Sequence, residues 1–424
     1  MTSSTVVVAG AGIAGLRSAT ILADAGYDVR VFESASTVGG RVRTDRTDGY
    51  QFDRGFQVLL TAYPTVQEVL DLEALDLREF PPGALVCRDN HRATIADPLR
   101  APTKALETAF SRDISFGDKI RTLALRRELA AKDRREIFDG PDSSIAQYLR
   151  ARGFSERYVE NFAAPLYGGI TLDRSLSSSR RIFEFTFKLL AAGRAAVPAR
   201  GMGAITEQLA TAATEADATV VTDAPVETVT VNDDEASVTV SGSTERADAV
   251  VVATDPVTSR QLTGVETIPT EGRQCVTQYI SVREGSPLDD QPYLMLNAQG
   301  DTPNQIAPMS VVAPEYAPEG EILLSATALD DPGIAETELF ERTRDALSSW
   351  YPAGSFDDAT LLRTERCRFA QFAQPPGIHE TLPDPGAPSG PVFLAGDYTE
   401  SSSIDGALRS GESAARAAID HLQE

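Results

Sequence analysis

Gly10, Gly12 and Gly15 fall within the stretch VVVAGAGIAG, the carboxylate Glu33 follows, and then Gly39, Gly40 and Arg41. That spacing suits a dinucleotide phosphate. Gly10 permits a tight turn, Gly12 lets backbone N–H groups approach a pyrophosphate, and Gly15 lets the next helix pack on the preceding strand. Ala11, Ile13 and Ala14 therefore lie along the phosphate path. Glu33, with Ser34 beside it, stands where a carboxylate accepts both ribose hydroxyls of an adenosine, and it disfavours NADP by repelling a 2′-phosphate. Gly39-Gly40-Arg41 adds a second glycine turn carrying a permanently charged fork. Far down the chain, Gly396-Asp397 ends an apolar strand and Ile404-Asp405-Gly406-Ala407 opens a helix.

These residues need elements to hold them. Residues 5–9 read as a buried parallel strand, 16–25 as the helix after the glycine turn, and 27–32 as a second strand. Helical patterns cover 116–136, 145–152, 204–213, 336–351 and 408–422. By alternation 225–231, 236–241 and 247–253 read as a meander, with 249–254 returning to the nucleotide sheet, and 275–282 and 320–328 carry further strand signals. The class is α/β. Segments of nucleotide-domain character alternate with others, which predicts a Rossmann-like domain from 1–80, 200–266 and 382–424. A mixed α+β substrate domain interrupts it at 81–199, mostly helical, and at 267–381, richer in strands. No second GxGxxG occurs, so reducing equivalents are expected from the substrate itself.

GxGxxG, the acid, Gly39-Gly40-Arg41 with Thr44 after it, and Phe52-Asp53-Arg54-Gly55-Phe56 together resemble the flavoprotein superfamily of amine oxidases, protoporphyrinogen oxidases and phytoene desaturases. The resemblance implies FAD in a glutathione-reductase-like domain. Gly55 and Phe56 would run beneath the flavin, Asp397 would hold the ribitol chain, and the backbone of Val226 would clamp the adenine, with Thr254 among the cofactor contacts. Ser403, Ile404 and Ala407 would place a helix N-terminus at the pyrimidine edge of the flavin, where its dipole favours the reduced anion. The stretch NFAAPLYGGI at 161–170, with the serines of 176–179, is similar to the phytoene-desaturase-like and protoporphyrinogen-oxidase-like branch. Tyr167, Phe372 and Ala373 are the expected pocket residues, and apolar 182–190 fits a tunnel lining or a membrane surface.

Amine oxidases set two facing aromatic rings over the flavin, and the corresponding positions here are Ala373 and Ser403. The flavin-facing lysine of that branch also lacks a candidate, since Lys104, Lys119, Lys132 and Lys188 all lie in the helical excursion. The expected reaction is therefore dehydrogenation of a hydrophobic small molecule, such as an isoprenoid, carotenoid precursor or porphyrinogen, by hydride transfer to flavin N5. An amine oxidase lacking the cage and a non-redox isomerase using reduced FAD are the alternatives. No catalytic base is assigned, and His379 after Pro375-Pro376-Gly377 reads as a surface-loop histidine.

Composition excludes other classes. The formal charge of -23, with acids spread along the chain, argues against nucleic acid and resembles proteins adapted to molar salt. No apolar run reaches about 18 residues and no basic region precedes an apolar stretch, so neither a spanning helix nor a signal peptide is expected. A cytoplasmic location fits, with peripheral contact at the inner membrane face as the one membrane role left to 182–190. Cys87, Cys275 and Cys367 are isolated in sequence, so neither a redox dithiol nor a disulfide framework is expected, and no metal-ligand spacing occurs.

Overall fold

A computed structural model describes residues 4–96, 100, 114–232, 235–300 and 302–424. Its nucleotide-side sheet has the order Thr219–Val221, Asp28–Phe32, Thr5–Ala9, Ala249–Val252, Val392–Leu394, all parallel. Strands covered on both faces read as continuous apolar runs, which explains VVVA at 6–9 and AVVV at 249–252. Val6, Val8 and Val251 pack against the helices Ile13–Asp24, Gly203–Glu215 and Ile404–Gln423, while Val7, Val250 and Val252 face the opposite layer. That layer is a three-stranded meander, Val226–Asn232, Glu235–Val240 and Ser243–Ala247. The expected third meander strand at 247–253 is thus corrected. Ser243–Ala247, STERA, takes that place with no apolar alternation to announce it, and Ala249–Val252 belongs wholly to the parallel sheet.

The second sheet runs Thr360–Phe372, Gly272–Arg283, Glu321–Leu329, Gln305–Pro308, Leu294–Asn297, Gly83–Arg88, His91–Ala96. Its last two strands come from the segment expected to be mostly helical, and Gly83–Arg88 joins by pairing parallel to Leu294–Asn297. The helices of that segment include Phe116–Ala131, Arg134–Phe138, Ile145–Ala151, Ala164–Thr171 and Arg180–Ala192. The helix expected over 116–136 is two, because Asp133 caps a fresh start by accepting from the Glu136 N–H. Tyr148, Tyr158, Tyr167 and Phe183 fill a core of their own here.

Cys275 and Cys367, isolated in sequence, lie directly opposite one another on Gly272–Arg283 and Thr360–Phe372. Both are free thiols, with no disulfide between them, but the register sets them side by side. A lone cysteine on each of two distant strands gives no local signal that antiparallel pairing will bring them together.

Candidate active site

The glycine turn is built as its spacing requires. A Cβ on Gly15 would stand 2.0 Å from the Gly10 carbonyl oxygen, and one on Gly10, at φ +105, would stand 2.7 Å from the Ala253 carbonyl oxygen. Gly12 differs, because a Cβ there would meet nothing within 4 Å. Gly12 is also the N-cap of Ile13–Asp24 and supplies no side-chain cap, so no side chain satisfies the first-turn N–H groups, Ala14 among them. The second turn closes on the first through the Gly39 N–H to Ala11 carbonyl bond at 2.8 Å, and a Gly40 Cβ would lie 3.6 Å from Gly12 Cα. An open, uncapped amide cradle between two glycine turns fits a pyrophosphate.

Glu33 is buried at the rim of this cradle. Its Oε2 accepts from the Ala11 N–H at 2.8 Å, while Oε1 takes the Ala35 N–H at 2.9 Å and the Ser34 hydroxyl at 3.2 Å. A carboxylate oxygen has capacity beyond one donor, so Oε2 can still accept a ribose hydroxyl. The Ala224 N–H donates to the Glu33 carbonyl, which brings Val226 to the same end of the sheet. Thr254 sits just past the Ala253 carbonyl that bounds Gly10, with its hydroxyl 2.8 Å from Ser259 Oγ.

Arg41 makes a bidentate pair with Asp397, 3.0 Å from Nη1 to Oδ2 and 2.6 Å from Nη2 to Oδ1. The guanidinium expected on the pyrophosphate and the carboxylate expected on the ribitol therefore meet each other. Desolvation weighs against the Arg41 charge, but Asp397 outweighs it and holds the pKa above its ordinary value. The Arg41 side chain is 38% exposed, toward the cleft, and the Asp397 side chain 4%.

Beside Gly55 and Phe56, Asp53 ties several elements together. Its carboxylate accepts from Thr44, the Met202 N–H and the Tyr316 hydroxyl, and burial pushes its pKa up against those bonds. Tyr279 donates to the Asp53 carbonyl at 2.7 Å. Gly55 takes φ +78, which favours glycine.

At the other end, Ser403 caps Ile404–Gln423 by accepting from the Gly406 N–H at 2.9 Å, so one of the first-turn donors is met by the chain itself. Ile404 and Ala407 lie in that first turn. Asp405 is buried and accepts from the Thr65 N–H at 2.9 Å, and burial raises its pKa.

Ser401, Ser402 and Ser403 open onto a cavity of about 40 Å³. Ile170, Ile182, Phe185 and Tyr63 form its apolar walls, and Gln371, Gln374 and Thr186 complete it. No Asp, Glu, Lys or Arg lines it. A hydrogen-bond chain runs from Asp397 through the Ser402 hydroxyl (2.8 Å) and from the Ser402 N–H to Gln374 Oε1 (3.1 Å). A larger cavity of about 470 Å³ lies elsewhere, among Arg46, Tyr50, Asp76, Arg200 and Glu315. It contains neither Arg41, Asp397 nor the 401–403 segment, so the smaller cavity is the candidate for chemistry.

Three expected pocket residues lie elsewhere. Tyr167 is buried in the helical core with its ring centroid 4.5 Å from that of Phe183. Phe372 is fully buried against the meander, and Ala373 is buried with its N–H on the Glu271 carbonyl. For Phe372 strand alternation is the reason, since the residue before it is Gln371, and that side chain lines the cavity. Gln374, Phe185, Tyr63, Ser401 and Ser402 also line the cavity, and of these only Phe185 falls in the apolar 182–190 stretch. The serines of 175–178 are structural, because Ser175, Ser177 and Ser178 donate to the Asp173 carboxylate. Ser179 caps Arg180–Ala192. Residues 181–190 carry no exposed side chain.

His379 is half-buried, in the short turn Ile378–Glu380. Its ring packs 4.9 Å from Phe138, and burial pushes its pKa down to about 4. Among the described residues no cluster of three His, Cys, Asp or Glu side chains could hold a metal ion, and no helix is long and apolar enough to cross a membrane.

Residues 13–419 match the family described as flavin containing amine oxidoreductase. The chain belongs to that family. Membership makes this amine oxidoreductase relative an FAD-dependent oxidoreductase, and the cradle described above fits the cofactor. Protoporphyrinogen oxidase 2 of Arabidopsis thaliana is 30% identical over 165 residues, which are 39% of this chain and 32% of that one. The match thus spans about a third of that relative's length. An oxidoreductase from Methanosarcina mazei superposes with a TM-score of 0.76 at 17% identity, covering 98% of this chain and 100% of the other. Putrescine oxidase bound to putrescine gives 0.72 at 19%, covering 100% and 99%. At such identities these two likenesses show the shared fold.

Proposed function

We propose that this FAD-dependent oxidoreductase dehydrogenates a hydrophobic small molecule of the isoprenoid, carotenoid-precursor or porphyrinogen kind. The observation that carries the reading is the cavity at Ser401 to Ser403, which has apolar and amide walls and no ionisable side chain other than the Tyr63 phenol. An ammonium substrate needs a carboxylate or facing aromatic rings to replace its hydration. Ser403 and buried Ala373 supply neither. When bound, FAD accepts the two electrons of the reaction. The chain's own residues exclude water around the donor carbon through Ile170, Ile182 and Phe185, and orient polar substituents through Gln371 and Gln374. Burial and the nearby Asp405 charge raise the Tyr63 pKa, so its phenol stays protonated at neutral pH and serves as a hydrogen-bond donor rather than as an acid or a base. At about 40 Å³ the cavity holds little more than a water, so its walls must part to admit such a donor.

The test is anaerobic mixing of the holoprotein with three panels: isoprenoids, porphyrinogens and primary amines, L-amino acids included. Bleaching of the oxidised flavin by one of the first two supports the reading. Bleaching by amines alone overturns it in favour of an amine oxidase without the cage, and product formation with no net bleaching or turnover of electrons overturns it in favour of an isomerase.

A further inference from the structure

Cys275 and Cys367 face each other across the antiparallel pair Gly272–Arg283 and Thr360–Phe372. Opposed residues in such a pair have Cα atoms about 4.5 or 5.5 Å apart, inside the roughly 4.4–6.8 Å that a disulfide spans. Thr277 and Tyr279 share the face of Cys275 by alternation, and that face covers the segment around Gly55. Cys367 Sγ lies 4.0 Å from the Arg54 carbonyl oxygen, and a Cβ on Gly55 would lie 3.6 Å from Cys367 Sγ and 3.7 Å from Thr277 Oγ1. Thr360–Phe372 is an edge strand, and Cys367 is partly exposed on it, whereas Cys275 and Cys87 are buried.

We propose that Cys275 and Cys367 are a redox-responsive dithiol, closed by a peroxide into a cross-strand disulfide beneath the segment expected to underlie the flavin. The Cys367 thiolate attacks the peroxide, the O–O bond breaks, and one oxygen stays on sulfur as a sulfenic acid while the other leaves as hydroxide and takes up a proton. Cys275 then loses its proton and attacks that sulfur, forming the S–S bond and expelling the second oxygen as water. In sum two thiols and one hydrogen peroxide give one disulfide and two waters, the sulfurs losing two electrons and the peroxide gaining them. The adjacent Cys275 thiol lowers the Cys367 pKa while that of Cys275 is raised, so the sulfur of the partly exposed residue is also the nucleophile. Three residues on, the Ala370 carbonyl accepts from Arg41 at 3.3 Å, and Gln371 lines the cavity. Closing the bond fixes the edge strand next to both.

The test treats the purified holoprotein with hydrogen peroxide, blocks free thiols with N-ethylmaleimide, and maps unreduced peptides by mass spectrometry. The expected result is a Cys275–Cys367 peptide pair lighter by two hydrogens, maleimide on Cys87 alone after unfolding, and recovery of all three thiols with dithiothreitol. The wild-type result is read without any variant. In Cys275→Ser the same treatment should leave Cys367 as a sulfenic acid trapped by dimedone. Protein in which both cysteines still take maleimide, or in which Cys367 reaches sulfinic acid with no link, overturns the proposal, and a variant that traps nothing at Cys367 overturns the order of steps.

Discussion

Arg41 and Asp397 are separated by 356 residues, yet the fork of one meets both oxygens of the other. The pair is the point where the N-terminal turns and the last strand are joined by charge. Its worth is geometric as well as coulombic, because a guanidinium can serve two oxygens at once and an ammonium cannot. Arg41→Lys is expected to weaken FAD binding about tenfold, or roughly 1.4 kcal/mol, read by flavin fluorescence titration of deflavinated protein. Unchanged affinity would show that the fork does not shape the site. His379 yields a second residue-scale prediction. Asp142 favours its charged form, while Arg181 and Arg134 oppose it, and burial dominates. The unfolded imidazole titrates near 6.5 and the folded one near 4, so this contribution to stability is full above pH 6.5 and is lost as pH falls toward 4. His379→Phe should therefore lose less melting temperature than wild type between pH 7 and 5, and parallel curves would remove His379 from the pH response.

Elements explain why some residues were legible in the sequence and others were not. The glycine turn, the two flanking strands and the C-terminal helix announce themselves because each glycine or apolar position is forced by local geometry. The cavity walls carry no such constraint. Gln371 rather than Phe372 faces the cavity because of strand phase, and Tyr167 went to the core because Phe183 awaited it on a helix paired only in three dimensions. The Cys275–Cys367 register is equally non-local. The second and third glycines of the turn predict opposite outcomes. Gly15→Ala forces a Cβ against the Gly10 carbonyl at 2.0 Å and is expected to cost several kcal/mol, so the protein should fail to accumulate folded. Gly12→Ala meets no protein atom within 4 Å and should fold with native circular dichroism while losing FAD. Retention of FAD by Gly12→Ala would mean that the pyrophosphate lies elsewhere.

The whole molecule carries 62 acids against 39 Lys and Arg. Self-repulsion on that scale acts over about 10 Å at 0.1 M salt and about 3 Å at 1 M. Melting temperature should accordingly rise with potassium chloride across that interval, and a flat or falling curve would show that the acids are already compensated by the chain's many ion pairs. The same scale governs the flavin site we propose, which would take residues from the first turns, the middle meander and the last helix of one chain. Equilibrium titration of deflavinated protein with FAD, and separately with NAD and NADP, tests that construction most directly. One equivalent of FAD bound per chain, with flavin fluorescence altered on binding and neither nicotinamide competing, is the expected result. Protein that takes up no FAD, or that prefers a nicotinamide dinucleotide, would contradict it.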